Sequence, residues 1–306
     1  MKLSRYLVIS VMLFFGMIQA CLGIDGNQDM RTWTLASGPM MTAELLSYVE
    51  KTGRVVLRTP DQVETGFQEK DFCATDRAWL LEWLEIGEEL QSTLKRLGGK
   101  LEHLEVKGVF LTEYFIYHPS GTQPSQPLPM MVLFDPGGKA RRYALRHMEA
   151  ADKVKMRLVV CGSFKNAINN QEETAFSQRF QEVLLSIQQN VAHNPKQIFI
   201  GGTAGGAARA YAYAAAYPQT WAGIYANGGR LSTLAHDAYD NRSYPAVRVA
   251  MVNGERDENN RWIQSDSAVL HRNGCDVAIL AFEGGLQLPT ISVQTKAFRW
   301  LLKIDQ

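Results

Sequence analysis

The chain begins with Lys2 and Arg5 and then runs without a charge from Tyr6 to about Ala20. An uncharged run of roughly 15 residues falls short of the ~20 needed to span a hydrocarbon core and has the layout of an export signal. Beyond it the apolar pattern divides the chain. Met41–Tyr48 and Arg54–Arg58, separated by Thr52-Gly53, alternate as short strands. Asp76–Leu90 carries Trp79, Leu80, Trp83, Leu84 and Ile86 at helical spacing. Residues 91–107 are charged, contain Gly98-Gly99 and read as a linker. From 108 to 306, apolar runs of strand length (109–117, 130–134, 157–161, 197–200, 221–226, 247–252, 276–282) alternate with helical stretches (139–153, 172–190, 204–217, 261–272, 290–303). Buried strands alternating with helices predict an α/β fold, with a mostly parallel sheet covered on both faces.

Composition narrows the function classes. The 306 residues carry 32 basic and 31 acidic side chains, a balance that excludes the basic excess of a nucleic-acid binder. With 46% apolar residues the chain is neither disordered nor fibrous. Cys21, Cys73, Cys161 and Cys275 show no C-x-x-C spacing, and no metal site or cofactor is expected. Ile18-Gln19-Ala20 before Cys21 is a loose lipobox, so lipidated and soluble export both stand, with a single-pass anchor as the third reading. Residues 1–20 are thus expected to be a signal peptide. The chain is expected in a bacterial periplasm or cell envelope, touching the membrane only through that signal or a lipid anchor. Arg141, Arg142, Arg146 and His147 on one short helix read as a solvated face.

The chemistry concentrates at Ile198-Phe199-Ile200-Gly201-Gly202-Thr203-Ala204-Gly205-Gly206, where a strand ends in a glycine-dense turn and a helix starts at once. That pattern resembles the nucleophile elbow of the α/β-hydrolases, whose G-x-S-x-G turn is so sharp that small flanking residues are required. The resemblance, to the compact exported esterase-like kind, covers 108–306. It implies an oxyanion loop at Asp135-Pro136-Gly137-Gly138, an acid-bearing turn at Gly254-Glu255-Arg256-Asp257 and a histidine loop at Gly284-Gly285-Leu286. Two registers fit the elbow, one placing Ala204 at the nucleophile and the other Thr203. Pro218, fourteen residues beyond Ala204, matches the family's interval from nucleophile to helix end in the first.

The departures decide the functional expectation. Alanine has no nucleophilic atom, and Leu286 stands where the family carries histidine; none of the six histidines follows Cys275. Asp257 alone keeps its residue type. Losing serine or histidine from a hydrolytic triad costs about a millionfold in turnover, and a threonine hydroxyl needs an adjacent base. The sequence therefore points to a non-catalytic hydrolase homologue that binds a small-molecule or peptide ligand, with Gly137, Gly138 and Gly205 as backbone donors around a surviving oxyanion pocket. The alternative is an active carboxylic-ester hydrolase using Thr203 with a histidine from another loop, such as His236. Residues 28–90, through Arg31, Trp33-Thr34, Gly38, Ala43-Glu44-Leu45, Val56-Leu57 and Asp76-Arg77-Ala78-Trp79-Leu80, resemble the Sla homology type of SH3-like barrel. That resemblance implies a module for a protein partner.

Overall fold

The computed structural model describes residues 30–109, 111–162, 164, 170–231 and 245–304. The signal and lipobox readings on 1–29 and the candidate base His236 lie outside the described residues. Four strands come first: β1 (Met30–Thr34), β2 (Met40–Val49), β3 (Arg54–Arg58) and β4 (Glu64–Gln68). They pair as an antiparallel meander in that order, with a bulge between Leu45 and Ser47. The sheet is open, where the sequence led us to expect an SH3-like barrel. Its inner face buries Trp33, Ala43, Leu45, Tyr48, Val55 and Leu57 beneath Phe72, Trp79 and Leu80.

Helix α1 (Ala74–Leu97) serves two cores. Its first turns bring Trp79 and Leu80 under the small sheet, and its later turns send Ile86 and Leu90 into the core of the larger sheet. Arg31 lies between the rings of Trp33 and Trp79, 4.7 and 4.4 Å from their centroids, and pairs with Asp76 at 2.8 Å. The other Asp76 oxygen accepts the Thr34 amide at 2.6 Å, so both oxygens of the buried carboxylate are satisfied.

The linker expected at 91–107 is instead the end of α1 followed by β5 (Lys100–Lys107), an edge strand of the larger sheet. Gly98, at φ 72°, is the left-handed cap that stops the helix. The charges that suggested a linker belong to the wet sides of a helix and an edge strand. Glu105 of β5 accepts both the amide and the hydroxyl of Thr32 at 2.5 Å, tying β1 to the larger sheet.

That sheet continues through β6 (Leu111–His118), β7 (Leu128–Phe134), β8 (Arg157–Cys161), β9 (His193–Thr203), β10 (Gly223–Asn227), β11 (Arg248–Gly254) and β12 (Asp276–Phe282). Its order is β12-β11-β10-β9-β7-β8-β6-β5, parallel from β8 to β12 and antiparallel at β5 and β6. One face is covered by α3 (Asn170–Asn190), α4 (Gly205–Ala216) and α5 (Asn260–Arg272). The other is covered by α1, α2 (Ala140–Lys153) and α6 (Ile291–Leu302).

The face of α2 expected to be solvated is so only in part. Arg141 and His147 are buried, Arg146 pairs with Glu89 at 2.9 Å, and Arg142 pairs with Glu85. The acidic residues of α1, spaced at one-turn intervals, supply the partners. Among the described residues no helix is long and apolar enough to cross a membrane.

Candidate functional site

Strand β9 lies at the centre of the sheet and ends at Thr203. Ala204 then takes φ 50° and ψ −115°, a conformation unfavourable for any residue with a β-carbon, and α4 begins at Gly205. The helix crosses so close to the sheet that a β-carbon on Gly206 would stand 2.2 Å from the Phe134 carbonyl oxygen. One on Gly202 would stand 2.6 Å from the same atom. The glycines thus flank Ala204 symmetrically, and the strained residue of the turn is Ala204 rather than Thr203.

Thr203 is turned inward and only 7% exposed. Its hydroxyl is 2.6 Å from the Tyr143 hydroxyl and accepts the Asn227 amide at 3.1 Å; Asn227 also donates to the Gln287 carbonyl at 3.0 Å. Burial pushes the Tyr143 hydroxyl well above its ordinary range, so it stays protonated at neutral pH and is no base. His147 packs tilted against the Tyr143 ring at 4.3 Å, donates through Nδ1 to the Tyr143 carbonyl, and is pushed down to about 4 by burial. Among the described residues no imidazole hydrogen-bonds to Thr203.

Asp257 and Leu286 meet at the turn after β10. Gly228, at φ 57°, leaves no room for a side chain: a β-carbon there would lie 2.4 Å from Leu286 Cδ1 and 2.8 Å from Asp257 Oδ2. A β-carbon on the next residue, Gly229, would lie 2.8 Å from the Ala204 carbonyl oxygen. The two glycines therefore bring Ala204, Asp257 and Leu286 around one small turn at the C-terminal edge of the parallel strands. Asp257 is buried, its Oδ1 accepting the Asn259 amide at 2.9 Å, whereas Leu286 is 54% exposed.

The loop expected to hold an oxyanion differs from the expectation for Gly137 and Gly138. The Gly137 amide donates to Asp135 Oδ2 at 3.0 Å, and the Gly138 amide to the Asp135 carbonyl at 3.1 Å. Asp135 Oδ2 also takes the Lys139 amide at 2.8 Å, closing the loop on itself. Burial raises the Asp135 carboxyl above its usual range, opposed by these two amide bonds to Oδ2. Of the three glycines, Gly205 alone keeps the setting of a donor, as the first residue of a helix whose leading N–H groups have no intrahelical acceptor. Tyr143, Asn227 and the Asp135 carboxylate were not anticipated from the sequence. The available signals were an Asx-type turn in Asp135-Pro136-Gly137-Gly138 and an asparagine closing a buried strand. Among the described residues no group of three His, Cys, Asp or Glu side chains is placed to hold a metal ion.

No protein-family model and no curated protein matches this sequence. Solved structures do match its architecture. The S-formylglutathione hydrolase FrmB of Staphylococcus aureus aligns with a TM-score of 0.55 over 67% of this chain and 96% of its own, at 11% identity. A ferulic acid esterase aligns with a TM-score of 0.54 over 67% and 98%, at 14% identity. The esterase LipW of Mycobacterium marinum aligns with a TM-score of 0.56 over 73% and 87%, at 12% identity. With the strand order and the strand–turn–helix at Ala204, these likenesses give the chain the α/β-hydrolase fold. At such identities they carry the fold alone.

Proposed function

We propose that this protein is a non-catalytic α/β-hydrolase-fold homologue that uses the edge of its parallel sheet to bind a ligand. The observation that carries the proposal is the meeting of Ala204, Asp257 and Leu286 around Gly228 and Gly229. Nucleophile and base are replaced by groups that neither attack nor take a proton, while the acid stays in place. The geometry at Thr203 speaks against the alternative of an active esterase, because its hydroxyl is committed to Tyr143 and Asn227. A polar or carbonyl group of a ligand would meet the Gly205 amide at the start of α4, where the helix dipole favours a partial negative charge.

The small four-stranded sheet is proposed as the partner-binding part, in keeping with the Sla-type pattern of residues 28–90. Export to the bacterial envelope is proposed from Lys2, Arg5 and the uncharged run that follows them. The site reading is tested by rebuilding the chemistry. The Ala204→Ser, Leu286→His double variant should hydrolyse short p-nitrophenyl esters at least a hundredfold faster than the wild type, and either single variant should not. A folded double variant without that gain would contradict a preserved hydrolase geometry.

A further inference from the structure

The emptied base position leaves a marked electrostatic feature. Asp257 is 5% exposed, its Oδ1 holds the Asn259 amide, and its Oδ2 has no hydrogen-bond partner among the described residues. Neighbouring Asn227 is fully buried, and its Oδ1 is likewise an acceptor without a donor. Burying a carboxylate oxygen without a donor is costly, so the site has an unmet demand for an N–H group or a cation. The basic residues nearby do not meet it. Arg230 and Arg261 lie over the Trp262 ring at 5.6 and 5.3 Å, and no ion pair to Asp257 forms among the described residues.

Leu286 stands beside Oδ2. Its Cδ1 and the Asp257 oxygen crowd the same point above Gly228, yet the leucine is 54% exposed, on a turn that begins Gly284-Gly285. An exposed side chain changes rotamer in picoseconds to nanoseconds. Rotating Leu286 outward widens the approach to this carboxylate, at the edge where open α/β sheets bind their ligands.

Resting on the non-catalytic reading above, we infer that Asp257 is the recognition point for the ammonium head of an organic cation, with Leu286 as a displaceable cover. The ammonium donates to Oδ2 from the space that the leucine vacates. The ligand class is an alkylammonium compound.

The test is a titration of the full chain with n-butylammonium chloride at constant ionic strength, followed by the amide shifts of Gly228, Gly285 and Leu286, with sodium n-butyrate as control. Saturable shifts with butylammonium and none with butyrate are expected. Asp257→Asn should weaken the binding at least tenfold. Leu286→Ala, at an exposed position that tolerates truncation, should strengthen it at least threefold. Absence of saturable shifts in both wild type and Leu286→Ala would overturn the inference, as would equal binding by Asp257→Asn. If butylammonium fails to bind and esters are not hydrolysed, the ammonium site alone is wrong. Ester turnover by the wild type would overturn both it and the non-catalytic reading.

Discussion

Ala204 holds a backbone conformation that is strained for any residue with a β-carbon. In an active enzyme a strained turn exposes the attacking atom; here a methyl group stands on that backbone at φ 50° and ψ −115°. Such strain costs of order 1–3 kcal/mol, and glycine would remove it while adding roughly 0.4–1 kcal/mol of unfolded-state entropy. Ala204→Gly should therefore stabilise the protein by about 1 kcal/mol, read as a higher urea midpoint at unchanged slope. A lower midpoint would mean that the turn is not strained. At this scale the sequence was informative where a motif has fixed spacing: the glycine-dense turn was legible as the sharp bend between β9 and α4, at Ala204. It was silent on hydrogen-bond commitments. Around Gly137 and Gly138 the one hint was the Asx-type turn at Asp135, which does not by itself tell that the carboxylate and carbonyl of Asp135 occupy the two glycine amides.

Helices α1 and α2 show how charge and burial divide the work of joining elements. Arg142 and Arg146 of α2 reach Glu85 and Glu89 of α1, and Arg96 reaches Glu149 at 2.7 Å. Most of these side chains are a third or more exposed, so each pair contributes little net stability. Leu90, 2% exposed in the same contact, carries more. Leu90→Ala should cost about 2–5 kcal/mol, whereas Arg146→Ala should cost roughly 0–1 kcal/mol, both measured by chemical denaturation. Comparable losses would assign the docking of α1 to the ion pairs. The same elements explain the misread linker. A helix with an alternately charged surface and an edge strand with one wet side both look polar in one dimension, and only the partner across the interface shows which residues are inside. By contrast β8, buried over its whole length, and β12, apolar after Asp276, have the bounds their sequence suggested.

For the whole molecule, the alternation of apolar strands and helices was enough to foresee the mostly parallel sheet, but not the way the small sheet and α1 are built onto it. Global stability should also record the packing of His147 between Tyr143 and Tyr225. Burial holds that histidine neutral down to about 4. The unfolded chain takes up its proton near pH 6.5, so between the two values the unfolded state binds more protons and folding weakens as the pH falls. Lowering the pH from 7 to 4.5 should cost the wild type roughly 2–3 kcal/mol more than His147→Leu, measured by urea unfolding at each pH. Equal losses would show that His147 is accessible to protons in the folded state. Glu102 and Glu113, held below their usual range chiefly by hydrogen bonds from His118 and His103 working against burial, lose their contribution only at more acid pH.

The fold of a hydrolase without a nucleophile or a base is the central claim, and one measurement meets it directly. Wild-type protein and Thr203→Val are incubated with a fluorophosphonate probe and with p-nitrophenyl butyrate. Neither protein should be labelled, and their ester turnover should be indistinguishable from that of buffer. Labelling or turnover of the wild type that disappears in Thr203→Val would contradict the claim and make Thr203 the nucleophile of an active esterase.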